Sequence, residues 1–232
     1  YPLDPSQWSV DPYHVTLGDD GRAYGYGIAD DRSGIAGMVM AARVLTAAGL
    51  RPAGTLVMAS CLGKHLGAAG TLAVMDRGYG GDAAVYLHPA ETGAGLAEFK
   101  SMTLGLLQFR VTVSGLSPGF RERNQTPAAH QGINAIQRAA QVIAALTRWD
   151  AERGDRIRHA QVDAAIGRST NLNVTGIEGG ANDNQMPEEC VFTGMITFPP
   201  GETLPEHRSG FERAVQDAAR AVPGWTDRFP RV

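Results

Sequence analysis

The sequence predicts two kinds of fold in one chain: an α/β part over residues 1–103 and a small α+β sandwich of the ferredoxin-like kind over 104–223, with 224–232 leading back toward the first part. Two patterns predict this. In the first half, short apolar runs suited to buried strands alternate with helical stretches, a βαβ rhythm that implies a parallel or mixed sheet covered by helices. In the second half, strands that alternate apolar with polar residues are interleaved with two amphipathic helices, the order of two helices laid on an antiparallel sheet. The 232 residues are enough to bury a sizeable core in one large domain or two smaller ones.

Residues 34–48 carry helical apolar content and stop at Gly49, a good residue just past a helix end, with Pro52 beyond it. The run 55–60, Thr-Leu-Val-Met-Ala-Ser, reads as a buried parallel strand, 66–75 as the next helix, and 83–88 as a second buried strand broken by Pro89. Ligands collect at the carboxyl ends of strands in such sheets, which is where 61–65 and 88–91 fall. In the second half, 106–113 reads as an antiparallel strand with one wet face, 134–146 as an amphipathic helix, 171–177 and 191–198 as two further strands, and 208–221 as a second helix. The stretch 149–168 is charged, lacks a clear period and reads as a surface excursion.

Bulk properties narrow the function. A net charge of −3 with mixed signs argues against a nucleic-acid surface, which needs a basic excess. No apolar run reaches the roughly 18 residues of a membrane span, and the opening Tyr1-Pro2-Leu3-Asp4-Pro5 lacks the charged and apolar regions of a signal peptide. Cys61 and Cys190 are the only cysteines, too few and too far apart for a disulfide framework, so two buried reduced thiols in a cytoplasmic protein are expected. Cys61 as a nucleophile is a minor alternative, resting on the neighbouring Lys64 and His65.

Most of the functional information lies in Gly25-Tyr26-Gly27-Ile28-Ala29-Asp30-Asp31-Arg32-Ser33-Gly34. An acidic pair stands there in a glycine-flanked turn before a long apolar helix. Glycines let the backbone turn tightly enough to aim a carboxylate at an ion, and the helix start adds N–H groups and a favourable dipole. The alternative is that Asp30, Asp31 or Ser33 caps the helix.

Trp8-Ser9-Val10-Asp11-Pro12-Tyr13, Asp20-Gly21-Arg22 and 24–31 together resemble the approach to the bridging metal aspartate in the metallo-exopeptidase family of aminoacylases, acetylornithine deacetylases and succinyl-diaminopimelate desuccinylases. Further along, Gly132-Ile133-Asn134-Ala135-Ile136, the run 176–180, Asn184, Pro187 and Phe198-Pro199-Pro200-Gly201-Glu202 resemble that family's inserted lid and dimerisation domain. The resemblance implies an incomplete α/β zinc-exopeptidase-like catalytic part carrying an α+β ferredoxin-like lid, a homodimer formed through the lid, and one or two divalent metal ions, zinc or manganese. It implies metal-activated water cleaving a C–N bond, amide or amine, of a small-molecule substrate. It also implies an internal portion of a longer protein, because the family's His-x-Asp motif and last histidine ligand would fall outside the chain.

By the same resemblance Asp30 takes the place of the bridging ligand and His88, before Pro89, that of a carboxylate ligand. Imidazole serves zinc as well as carboxylate does. The family's paired glutamates, base and ligand, are replaced by Lys64 and His65, so proton transfer falls to His65, Glu91 or Lys64, the last only with a strongly lowered pKa. Asn184 matches a family substrate contact. Arg121, Arg123 and His130 are candidate substitutes for a lid histidine and arginine that are Gly119 and Thr197 here. Loss of the glutamate pair favours an unusual substrate over routine peptide cleavage. The rival reading is a non-catalytic dimerising or binding relative that kept the fold.

Overall fold

A computed structural model of the chain describes residues 3–64, 67–88, 97–118 and 127–232. His65, Glu91, Arg121 and Arg123 lie outside the described residues. The chain divides into two compact units, Tyr1–Lys100 and Ser101–Val232.

The first unit opens with a two-stranded antiparallel hairpin, β1 (Thr16–Leu17) and β2 (Ala23–Tyr24). Asp20 holds its turn, accepting from the Arg22 N–H at 3.0 Å and the Tyr24 hydroxyl at 2.7 Å. Helix α1 (Ser33–Ala47) and helix α2 (Ala69–Asp76) follow. The helix predicted from residue 66 begins later, because Gly67 and Ala68 take left-handed φ angles of 69° and 57°.

The runs 55–60 and 83–88, predicted as buried parallel strands, join no ladder among the described residues, and their apolar side chains stay exposed, Val57 at 46% and Val85 at 84%. A parallel strand draws its hydrogen bonds and its cover from neighbouring strands and crossover helices. No described segment pairs with either run.

The second unit holds a three-stranded antiparallel sheet in the order β3-β5-β4, from β3 (Gly105–Ser114), β4 (Asn171–Gly179) and β5 (Glu189–Phe198). Helices α3 (Ala135–Arg156) and α5 (Leu204–Arg220) pack on it, and the short α4 (Ala160–Ile166) precedes β4. The two-residue period shows directly: Phe109, Val111 and Val113 of β3 and Cys190, Phe192 and Ile196 of β5 are all buried, while their chain neighbours are less so. From the helices, Ala135, Ala139, Val142 and Leu146 meet them at helical spacing, as do Phe211, Val215 and Ala219. The Phe109 and Phe211 rings lie 4.5 Å apart. Gly194 faces Phe109 in the ladder, and a Cβ there would strike both the Phe109 ring and the Asn173 carbonyl.

The stretch 149–168 is not a surface excursion. α3 runs on to Arg156, α4 follows, and Asp150 and Arg153 are buried at 6% and 2% exposure. Its charges hid the period because a buried ion pair takes core positions. Residues 224–232 also pack on this unit: Trp225 is buried, its ring under the Arg138 guanidinium, and Arg231 pairs with Thr112 of β3. Among the described residues no helix is long and apolar enough to cross a membrane.

Candidate metal centre

The acidic pair does not cap α1. Gly27, left-handed at φ 69°, closes a wide turn in which the Arg32 N–H donates to the Gly27 carbonyl at 3.0 Å. Inside that turn Asp30 (φ −119°, ψ 92°) and Asp31 (φ −130°, ψ 25°) leave helical geometry, and the peptide between them is cis. α1 begins after them with no side-chain cap, and Ser33 Oγ donates to the Ala29 carbonyl instead. The Trp8 ring meets Tyr26 edge-on at 6.3 Å, and Arg32 Nη1 donates to the Tyr26 carbonyl at 2.5 Å, which ties the aromatic and glycine-rich approach to the turn.

Two glycines bring the remaining groups to this point. A Cβ on Gly34 would run into the Leu87 carbonyl, so the start of α1 lies directly against the segment that carries His88. A Cβ on Gly70 would strike the Leu62 carbonyl, to which the Gly70 N–H donates at 3.0 Å. That contact seats α2 beside the loop holding Lys64.

Asp30, Asp31 and His88 each offer one ligand atom within 4.8 Å of the others. His88 Nε2 stands 3.4 Å from Asp30 Oδ1 and 3.8 Å from Asp31 Oδ1. The Tyr86 hydroxyl donates to Asp31 Oδ2 at 2.7 Å, and the Tyr86 and His88 rings are 5.4 Å apart. Lys64 donates its ammonium to Asp30 Oδ1 and lies 3.1 Å from Asp31 Oδ2. Burial pushes the Asp31 carboxyl up, but the Tyr86 hydroxyl, Asp30 and Lys64 outweigh it and hold it below its ordinary value. Burial likewise works against the Lys64 ammonium, and its bonds to Asp30, Asp31 and Tyr86 overcome it, so Lys64 is held above the usual lysine range. The Tyr86 phenol is raised, by burial first and then by Asp31.

The donor set fits a divalent cation. Two carboxylates and an imidazole are the ligands zinc and its neighbours take. Asp31 Oδ1 is also buried with no hydrogen-bond partner among the described residues, a position in which a carboxylate oxygen wants a cation.

The structure thus brings together Asp30, His88 and Lys64 of the residues predicted from sequence. Asp31 and Tyr86 went unrecognised as members of this group. The doubled aspartate was a visible signal for the first, and a phenol two residues before the candidate histidine for the second. In the second unit His130 lines a cavity of about 760 Å³ with Asn134, Gln137, Asn182, Asp183 and Gln185. Asn184 belongs to the same loop, its N–H donating to Asn182 Oδ1 at 3.0 Å. Cys61 is partly exposed rather than buried, Cys190 is buried with its thiol pushed up by that burial, and both are free.

A family model described as the peptidase dimerisation domain of the M20 class matches residues 104–223. Among curated proteins, an N-formyl-4-amino-5-aminomethyl-2-methylpyrimidine deformylase from Bacillus subtilis (strain 168) is 26% identical over 203 residues, covering 86% of this chain and 46% of that protein. Among solved structures, an M20 family metallo-carboxypeptidase from Sulfolobus solfataricus aligns with a TM-score of 0.60 at 14% identity, covering 94% of this chain and 59% of that one. The aminopeptidase PepT from Bacillus cereus ATCC 10987 aligns at 0.55 and 20% identity, over 89% of this chain and 50% of its own. The chain spans about half the length of the curated relatives it matches. The fold shared with these structures is that of the M20 peptidases, with the α+β dimerisation unit in residues 104–223.

Proposed function

Because the chain belongs to the M20 peptidase dimerisation-domain family through residues 104–223, we propose that the protein is a metal-dependent hydrolase of a C–N bond in a small N-acyl or N-formyl amine. The observation that carries this reading is the convergence of Asp30, Asp31 and His88, with Asp31 Oδ1 buried and without a hydrogen-bond partner among the described residues. These three would hold one or two divalent ions, zinc or manganese. When bound, such an ion supplies Lewis-acid activation of the scissile carbonyl and of water.

The chain's own groups do the rest. Tyr86 fixes the orientation of Asp31 through its hydroxyl, the kind of outer contact that aims a ligand. We assign Lys64 a charge-pairing role rather than that of the base, because its ammonium, which has no lone pair for a proton, is paired with both carboxylates. Proton transfer therefore falls to His65 or Glu91. Asn184 and His130, with Arg121 and Arg123 of the same lid, are the groups to orient the polar end of the substrate. The lid pairs two copies into a homodimer. The curated relatives are named for removing a formyl group from an aminopyrimidine, which makes N-formyl amines the first substrates to try.

The test is metal content together with hydrolysis. Wild-type protein should retain zinc or manganese by elemental analysis and release formate or acid from some member of an N-formyl and N-acyl amine panel. Asp30→Asn should lose the metal while staying folded, because the Asp30 side chain caps no helix and is exposed, so the fold does not rest on its charge. Equal metal in both proteins would sink the site. The replacement of the family's glutamates by Lys64 and His65 favours a second reading, a non-catalytic dimerising relative, for which metal binding and hydrolysis would both be absent.

A further inference from the structure

Lys64 is bound to the same oxygens that a metal would use. Its ammonium donates to Asp30 Oδ1, the atom 3.4 Å from His88 Nε2, and approaches Asp31 Oδ2 at 3.1 Å. The cluster therefore already contains one positive charge between its two negative ones. We propose that Lys64 is a built-in counter-cation that competes with a divalent ion for the Asp30–Asp31 carboxylates, so that metal loading requires the lysine to swing away. This deepens the metal-site reading above and rests on it.

Three features support a displaceable cation rather than a fixed strut. A divalent ion cannot share Asp30 Oδ1 with an ammonium, because the two cations would repel at contact distance in a partly desolvated site. The side chain is one-third exposed, so its flexible four-carbon stem has a path into solvent. The residue type is also selective: 19 of the 21 basic residues are arginine, and Lys64 and Lys100 are the only lysines. Arginine would grip a carboxylate pair with a rigid two-pronged fork, whereas lysine is a flexible point charge that a competing cation can displace.

The competition leaves readouts that do not depend on turnover. Calorimetric titration of metal-stripped protein with Zn²⁺ or Mn²⁺ should show Lys64→Met binding about tenfold or more tightly than wild type, the scale that close charge pairs reach. Lys64→Arg, which keeps the charge, should bind no more tightly than wild type. Should the methionine variant fail to fold, the wild type alone reads the same event. Amine acylation followed by mass spectrometry should proceed faster at Lys64 when metal is added, with Lys100 as the internal reference.

Unchanged or weaker metal binding in Lys64→Met, with binding that still depends on Asp30, would overturn this proposal and leave the metal site standing. A Lys64 acylation rate indifferent to bound metal would overturn it equally. No binding in either protein would remove the metal reading and this one together.

Discussion

Arg153 is a full charge inside the second unit, 2% exposed, bonded to Asp150 on its own helix and to Thr197 and His207 from other parts of the fold. Its Nη2 donates to the Thr197 carbonyl at 2.8 Å and meets His207 Nδ1 at 3.3 Å, while Nη1 reaches Asp150 Oδ1 at 3.3 Å. His207 Nε2 in turn meets Glu202 Oε2 at 2.5 Å, and Arg168 Nη2 holds Asp150 Oδ2 at 2.9 Å from the surface side. Removing the arginine alone leaves a buried carboxylate and a part-buried carbonyl short of a donor, which is the costly way to break such a network. Arg153→Ala should lower unfolding free energy by about 3–5 kcal/mol, measured by urea titration. A loss within about 1 kcal/mol would mean that Arg168 and water take over Asp150 and the carbonyl.

At the scale of elements, helix ends carry much of the local specification. α5 starts with a reciprocal box in which Thr203 and Glu206 bond each other's backbone and side-chain groups, and Asn134 caps α3 by accepting from the Gln137 N–H at 3.1 Å. α4 is short and depends on Asp163, which accepts from Ser169 Oγ at 2.7 Å and Arg158 Nε at 2.6 Å. The Ser169 hydroxyl first, then Arg158, holds this carboxyl below its ordinary value. A depressed folded pKa stabilises the fold above the unfolded value of about 3.9 and stops doing so as pH falls through the lower folded value. Asp163→Asn should therefore lower Tm at pH 7, and the difference from wild type should close as the pH falls through the lowered folded pKa of Asp163. A Tm difference independent of pH would contradict this role.

Across the whole molecule, the second unit is the part with a closed core, and it is the part that a dimerisation family matches. β4 lies at one edge of the sheet, and its Ile177 is 57% exposed. A sheet edge with an exposed apolar side chain is a pairing surface unless something covers it. Light scattering at micromolar concentration should give about twice the 24.6 kDa chain mass. Ile177→Lys, which puts a charge on that edge, should shift the population toward monomer. A wild-type monomer would refute pairing through the lid, which needs a two-fold interface of roughly 1,200 to 2,000 Å².

The sequence by itself determined what short-range periodicity encodes. Val111 and Val113 alternate with polar neighbours, and Asn134 stands before an apolar stripe, so β3, β4, β5, α5 and the start of α3 were legible within a few residues, while the last ten residues of α3 were not. The Gly25 to Gly34 segment likewise announced a carboxylate aimed by glycines. What periodicity cannot encode is a partner distant in sequence. The runs 55–60 and 83–88 read as strands because they are apolar, yet pairing requires a neighbour that no described segment supplies. The charges of 149–168 read as surface because burial of Asp150 and Arg153 depends on Thr197 and His207, some 50 residues away. Only the tertiary structure could place Lys64, 34 residues beyond Asp30, with its ammonium on that carboxylate, because a contact between charges is a matter of distance in space and leaves no period in the chain.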